Sequence, residues 1–290
     1  MEENTVISVV VLTYNSAETV EETLESIFRQ TYTGPLELII TDDCSSDSTV
    51  AICSEWAESH RSRFCRIKII CSRTNTGVSA NINRGCRKAA GEWVKPIAAD
   101  DILAEDCLST MKREADSKGS EFLSSAIRVF GCSEELRSPD SLPVWNPAGD
   151  ITEMDLAWAD SNFDFWVPAP SFFISRRLLE NVGYYPEIIR NIEDAPMLRK
   201  VLGRGYRIHS TPEPTVFYRY GMHQQLSTSV NMLDHRDMYL RLHRTYLYPF
   251  LPIHRKIMSD LRFLSKRMRI LYTRLIGKKC NFAEFNMSKA

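Results

Sequence analysis

Two rhythms of apolar and polar residues alternate along the first hundred positions. Residues 6–12 (VISVVVL) form a near-continuous β-branched run, the pattern of a strand buried on both faces. A helical stripe follows, with Val20, Leu24, Ile27 and Phe28 spaced to share one face. Asn15 and Glu18 before it have the spacing of an N-cap and capping box. The same alternation predicts strands over 36–41, 66–71 and 92–97. Helices are predicted over 48–60, with Val50, Cys53 and Ala57 inward, and over 77–90. A βαβαβα order of this kind implies a parallel sheet, right-handed crossovers and helices on both faces. Ligands of such sheets bind outside the carboxyl ends of the strands.

What stands at those ends then matters. The stretch "LELIITDDCSSDST" passes from apolar strand to Asp42 and Asp43 with no spacer, and the fourth predicted strand ends in Asp100 and Asp101. Carboxylates are costly to desolvate without partners, so paired acids at two strand ends point to a ligand. Residues 45–49 are explained as well by capping of the next helix. No GxGxxG follows the first strand, where "TYNS" stands instead, and no GxxxxGK[ST] occurs. Dinucleotide-dependent hydride transfer and P-loop chemistry are thereby disfavoured. Carboxylates at this position suit a divalent cation that in turn holds a diphosphate.

Composition adds limits. The 290 residues are 43% hydrophobic and 25% charged, with a formal net charge of -1, as in ordinary globular chains. The first apolar run follows two glutamates and is too short for a signal peptide, and no run approaches the ~18 apolar residues of a spanning helix. Eight cysteines without CxxC spacing read as reduced thiols of a cytoplasmic protein. Charge is divided unevenly: residues 236–279 hold twelve Lys or Arg against Asp237 and Asp260, or +10, while residues 1–235 sum to -11. Within that basic segment Ile253, Ile257, Leu261, Leu264, Met268, Leu271 and Leu275 form a heptad-like seam. A basic amphipathic helix fits an anionic membrane surface, a second copy of the chain in a homodimer, or its own domain. Nucleic acid is disfavoured, because the basic residues interleave with aliphatics rather than with aromatics.

Four stretches, "VVVLTYNSAETVEETLESIFRQTYTGPLELIITDDCSSDST", "RTNTGVSANINRG", "GEWVKPIAADD" and "NIEDAPMLRKVLGRGYRI", occur in the order seen in inverting family-two glycosyltransferases of the GT-A fold, and the chain resembles that family over residues 6–229. The resemblance implies a mainly parallel α/β domain over residues 1–230 and a basic helical extension over 231–290. It implies a nucleotide-sugar donor, most often a UDP-sugar, with Mn²⁺ or Mg²⁺ on its diphosphate. Thr13, Tyr14, Asp43 and Gly77 fall at nucleotide-binding positions, with Asp43 receiving the base. Asp100 falls near the ribose and diphosphate, and Asp100 or Asp101 on the metal. Many relatives carry a further Asp where this chain has Ala98, which leaves fewer protein ligands for the ion. Asp194 matches the family's catalytic base, with Glu193 beside it near the acceptor. The same residue, before a helix with Pro196 in its first turn, is otherwise read as an N-cap.

His223, in "VFYRYGMHQQLSTS", matches a metal- or diphosphate-binding histidine, with Arg219 and Gln224 as phosphate contacts in the same loop. Trp145, Trp158 and Trp166, with Phe163 and Phe165, are acceptor-side or core aromatics, Trp166 being assigned to the acceptor. The implied function is sugar transfer to a saccharide or lipid-linked saccharide in surface-polysaccharide synthesis at the cytoplasmic face of a membrane. The alternative is a catalytically silent nucleotide-sugar binding or scaffold protein.

Overall fold

In the computed structural model, residues 4–131, 142–146, 149–151, 167–188 and 192–220 are described, with separate positions between 244 and 264. Among them a single mixed sheet organises the chain, in the order β3-β2-β1-β4-β8-β6-β9-β5, with β7 added beside β6. The first four strands are β1 (Ile7–Thr13), β2 (Leu36–Asp42), β3 (Arg66–Cys71) and β4 (Trp93–Ala98). They pair parallel, with Val10 opposite Ile39 and Pro96. Helices α1 (Val20–Phe28), α2 (Thr49–Ser59) and α3 (Val78–Cys86) make the crossovers. β1 and β2 are almost wholly buried, as their unbroken apolar runs require.

The second half reverses direction. β5 (Ile102–Leu103), α4 (Cys107–Lys118), β6 (Phe122–Gly131), β7 (Val144–Trp145), β8 (Phe172–Ser175), α5 (Arg176–Val182), α6 (Asp194–Gly203) and β9 (His209–Tyr220) complete the described elements. β8 joins β4 and β6 antiparallel, while β6 and β9 run parallel with register shifts at Ser125 to Ile127. Two apolar clusters fill the two faces of the sheet. Val9, Val11, Leu38 and Phe173 belong to one; Val10, Ile39, Phe172 and Ile174 belong to the other.

Two buried polar groups lock the frame. Lys95, fully buried in β4, donates to the carbonyls of Pro170 and Phe172. Burial pushes its pKa down, opposed by the charges of Cys107 and Asp101. Two strands away and at nearly the same level, Glu37 accepts from Ser8 Oγ, Ala90 N and Arg66, joining three strands to the segment after α3.

Several local expectations need correction. α1 starts at Val20 behind Thr19, which makes no side-chain cap. Asn15 instead takes a left-handed φ of 49°, and its side-chain oxygen accepts from Ser46 N at 2.8 Å, tying two loops together. The capping expected of residues 45–49 is supplied by Asp47, which accepts from Thr49 N at 3.0 Å at the start of α2. Asp194 lies inside α6 as its first residue, not at the cap. The six described cysteines are free thiols. The basic extension falls largely outside the described residues, but Ile253, Ile257, Leu261 and Leu264 are helical and between 55% and 74% exposed.

Candidate active site

The parallel register brings Thr13 level with Asp42, so both strand ends open on the same edge of the sheet. The two aspartates there do different work. Asp42 accepts from Thr13 Oγ1 at 2.8 Å and from Ser45 N at 2.8 Å, so it stitches β1 to the loop after β2. Asp43 is bound through its own N–H to Thr13 O at 3.0 Å. Its carboxylate collects Thr76 N at 2.9 Å, Gly77 N at 2.7 Å, Thr76 Oγ1 at 2.5 Å and Arg84 Nη2 at 3.2 Å. Burial alone would raise its pKa, but the donors from Thr76, Gly77 and Arg84 together outweigh this and hold it below the ordinary value. The carboxylate is therefore ionised at neutral pH. Gly77 leads into α3 with φ 89°, a conformation that side chains rarely adopt. Tyr14 follows Thr13 with its ring half exposed beside this cluster.

The second acid pair sits where β4 ends. Asp100 is partly exposed, whereas Asp101 is 1% exposed. Asp101 Oδ1 accepts from Arg219 N at 2.9 Å and its backbone carbonyl from Thr23 Oγ1 at 2.8 Å, which anchors β9 and α1 to this turn. Its Oδ2 is buried without a partner. Burial pushes the Asp101 carboxyl well up, and the neighbouring Asp100 charge adds to this; Arg219 and Lys95 oppose it. An unsatisfied buried carboxylate oxygen beside a second carboxylate fits a cation, with water and phosphate oxygens supplying the other ligands. No cluster of three or more His, Cys, Asp or Glu side chains suited to a metal is present among the described residues. Arg219 Nε also donates to Asp100 O at 2.8 Å, and its Nη2 pairs with Glu22.

The third pair, Glu193 and Asp194, opens α6 in a half-buried position. Asp194 Oδ1 accepts from Ala195 N at 2.5 Å. Burial pushes Glu193 up to about 8, helped by the charge of Asp194. Burial raises Asp194 too, against the Ala195 N–H and the Arg199 charge. α3 fixes the approach to this pair: Asn83 exchanges hydrogen bonds with Tyr185 N and O at 2.8 Å each, and Ser79 Oγ donates to Ile192 O at 3.3 Å.

Tyr218 in β9 shows that two of the acid pairs share one neighbourhood. Burial raises its hydroxyl far above the usual value, and Asp101, Asp100, Asp194 and Glu193 all add to the rise. Two acid pairs almost a hundred residues apart in sequence thus act electrostatically on one hydroxyl. Tyr218, Arg84, Thr76 and Lys95 carried no separate signal in the sequence, because each acts through partners distant along the chain. The order of donors on Asp43 is one that only the folded α3 creates. Trp145 is partly buried in β7 and packs against both apolar clusters. His223, Gln224, Trp158, Phe163, Phe165 and Trp166 lie outside the described residues.

A sheet of this order, with acidic strand ends gathered on one edge, defines a nucleotide-sugar transferase architecture of the GT-A class. Solved structures agree: the chain aligns with Staphylococcus aureus TarS 1-349 in complex with UDP-GlcNAc at TM-score 0.65, 20% identity, over 88% of this chain and 70% of that one. It aligns with the mannosyltransferase PcManGT from Pyrobaculum calidifontis, in complex with GDP-Man and Mn²⁺, at TM-score 0.62, 20% identity, over 96% and 79%. At these identities the likeness establishes the fold. The model of the family "Glycosyl transferase family 2" matches residues 8–183, more than half of the chain, and the chain belongs to that family. Among curated proteins it is 28% identical over 253 residues to the succinoglycan biosynthesis protein ExoO of Rhizobium meliloti, covering 83% of this chain and 68% of ExoO. It is 27% identical to the uncharacterized glycosyltransferase YwdF of Bacillus subtilis, over 74% of each. No helix among the described residues is long and apolar enough to cross a membrane.

Proposed function

We propose that this glycosyltransferase moves a sugar from a nucleotide-sugar donor, a UDP-sugar, to a hydroxyl of a saccharide or lipid-linked saccharide, with inversion, in surface-polysaccharide synthesis. The carrying observation is the buried, unpartnered Oδ2 of Asp101 beside Asp100 at the end of β4, on the edge where β1 and β2 also present Thr13 and Asp43. The names of the relatives support the donor class and the setting: one neighbour is a complex with UDP-GlcNAc, another with GDP-Man and Mn²⁺, and ExoO is a succinoglycan biosynthesis protein.

In this reading Asp43 and Tyr14 meet the base, and Asp100 faces the ribose and diphosphate. Asp100 and Asp101 would hold Mn²⁺ or Mg²⁺. The ion, when bound, would offset charge on the departing diphosphate. Asp194 takes the proton of the acceptor hydroxyl as its oxygen attacks the anomeric carbon. The bond from that carbon to the diphosphate oxygen breaks on the opposite face, and its electron pair leaves with the nucleotide diphosphate. Burial raises Asp194, which suits this role, since a less acidic carboxyl is the better proton acceptor. Glu193, still protonated when Asp194 is ionised, is placed to hydrogen-bond the acceptor.

The test is release of UDP from a panel of UDP-sugars with Mn²⁺, with and without a saccharide acceptor. Acceptor-stimulated release with inversion at the anomeric carbon is expected. No release from any nucleotide-sugar, together with intact binding, would favour a silent binding protein instead.

A further inference from the structure

We propose that Glu22, acting through Arg219, braces the acid turn after β4 and sets how tightly that turn holds a divalent cation. Arg219 is in this role a positioning residue, not a ligand. The proposal rests on the reading that Asp100 and Asp101 hold the ion, and it adds what keeps them in place.

Three consecutive carbonyls of the turn are each tied to a side-chain donor. Ala99 O accepts from Thr19 Oγ1 at 2.7 Å, Asp100 O from Arg219 Nε at 2.8 Å and Asp101 O from Thr23 Oγ1 at 2.8 Å. The outer two donors come from the start of α1, where Thr19 is the N-cap residue and Thr23 lies one turn further on. The middle donor comes from the end of β9. Arg219 also gives its backbone N–H to Asp101 Oδ1 at 2.9 Å. One residue thus fixes the middle carbonyl and one oxygen of the buried carboxylate. Asp101 Oδ2, buried and without a partner, is the oxygen left for an ion.

A side chain as long as arginine holds one carbonyl well only if its far end is fixed too, because its rotamer freedom is large. Here Nη2 pairs with Glu22, the neighbour of Thr23 in α1, and the guanidinium carbon lies 4.5 Å from the centroid of the Phe130 ring. The Arg219 side chain is 10% exposed and that of Glu22 is 52% exposed. Glu22 has a second effect. A guanidinium beside a cation site repels the ion, and a carboxylate paired with it offsets that charge. A lysine would keep the charge but has no planar fork to serve a carbonyl and a carboxylate in fixed directions.

Position 98 is alanine, so Asp100 and Asp101 are the carboxylates that this turn offers. Mg²⁺ and ions like it demand near-octahedral geometry, and partners behind the ligands decide how well the ligands meet it. With two carboxylates in the turn, their placement carries more of the affinity.

The experiment measures binding of UDP and of GDP to the full chain by calorimetry, and then titrates Mn²⁺ into whichever complex forms. The unaltered protein is compared with Arg219→Met, Arg219→Lys and Glu22→Gln. What is read is the Mn²⁺ concentration that gives half of the metal-dependent gain in nucleotide affinity. Arg219→Met should raise it about tenfold or more, the scale of a lost outer-shell partner, and leave metal-free nucleotide binding within about twofold. Arg219→Lys should follow Arg219→Met. Glu22→Gln should shift it in the same direction by less; its side chain is half exposed, so it decides the matter if the Arg219 variants do not fold. A half-saturation point within about twofold of the original in the folded variants overturns the proposal. So does a loss of metal-free nucleotide binding in Arg219→Met with Glu22→Gln unchanged, which would make Arg219 a phosphate contact. If Mn²⁺ adds nothing to nucleotide binding by the unaltered protein, the cation reading of the turn fails, and the brace with it.

Discussion

At Glu193 and Asp194 the carboxyl groups share a half-buried corner, and the two protons do not leave together. Burial raises both, and the charge on Asp194 holds Glu193 up to about 8. Asp194→Asn is expected to leave UDP binding intact and to lower transfer by about 100-fold or more, measured as acceptor-dependent UDP release. The proton on Glu193 also bears on stability. Its folded pKa is raised from the ordinary 4.5 to about 8, so its contribution is complete below the lower value and is lost as pH climbs through the window between them. The melting temperature of the native chain should therefore fall relative to Glu193→Gln from about pH 5 to pH 8; a constant gap would mean an unperturbed glutamate. The sequence marked both acids through the family motif and marked Asp42 and Asp43 through their place at a strand end. It singled out Asp43 only through the resemblance; the separate work of Asp42 was not legible, because it depends on Thr13 and Ser45 converging from different segments.

Among the elements, α3 carries the most consequence for its length. Its N-terminus supplies Gly77 N to Asp43, its middle supplies Asn81 and Arg84, and Asn83 holds the segment that leads to Glu193. Gly85→Ala would force the helix off the sheet, since the added carbon would overlap Val10 and crowd Thr41. A loss of about 1–3 kcal/mol in chemical denaturation is expected, with weaker UDP binding in the protein that remains folded. Unchanged affinity would mean that the helix need not seat deeply. β1 to β4 were legible to within a residue or so: β1 and β2 write near-continuous apolar runs because both faces are buried, while the partly exposed β3 is marked by its place between two helical stripes. The start of α1 was not, since Asn15 spends its side chain on Ser46 rather than on the helix. β9 was not legible from local pattern. Its earlier part contains Pro212 and Pro214, which argue against a strand. The register shift that pairs Ala126 with Pro214 absorbs them, and a pairing partner is invisible to local pattern.

On the scale of the whole molecule, charge and apolar surface gather at the C-terminal end. The segment 236–279 is +10 against -11 for residues 1–235, and Ile253, Ile257, Leu261 and Leu264 are exposed on helical positions. We propose that this end binds anionic membrane, where each basic residue adds about 1 kcal/mol. Flotation with phosphatidylserine-containing vesicles should capture the full chain and lose it steeply as salt rises. A chain ending at Val230 should remain folded and stay off the vesicles. Concentration-dependent dimers without vesicle binding would make the seam a contact between copies.

Lys95 also sets an order of events. Its ammonium group is fully buried and satisfied by Pro170 and Phe172, which emerge from the ribosome some seventy-five residues after it. Until they arrive, β4 is an edge strand with a lysine directed at a core that does not yet exist, and water must keep it. The four parallel strands form a continuous half-sheet, yet with Lys95 unpaired they are not expected to close as a unit during synthesis. A chain stopped at Gly119 is accordingly expected to show no cooperative unfolding transition, whereas one carried past β9 does. The lysine is thus expected to delay commitment of the first half until the segment 170–172 is present to receive it.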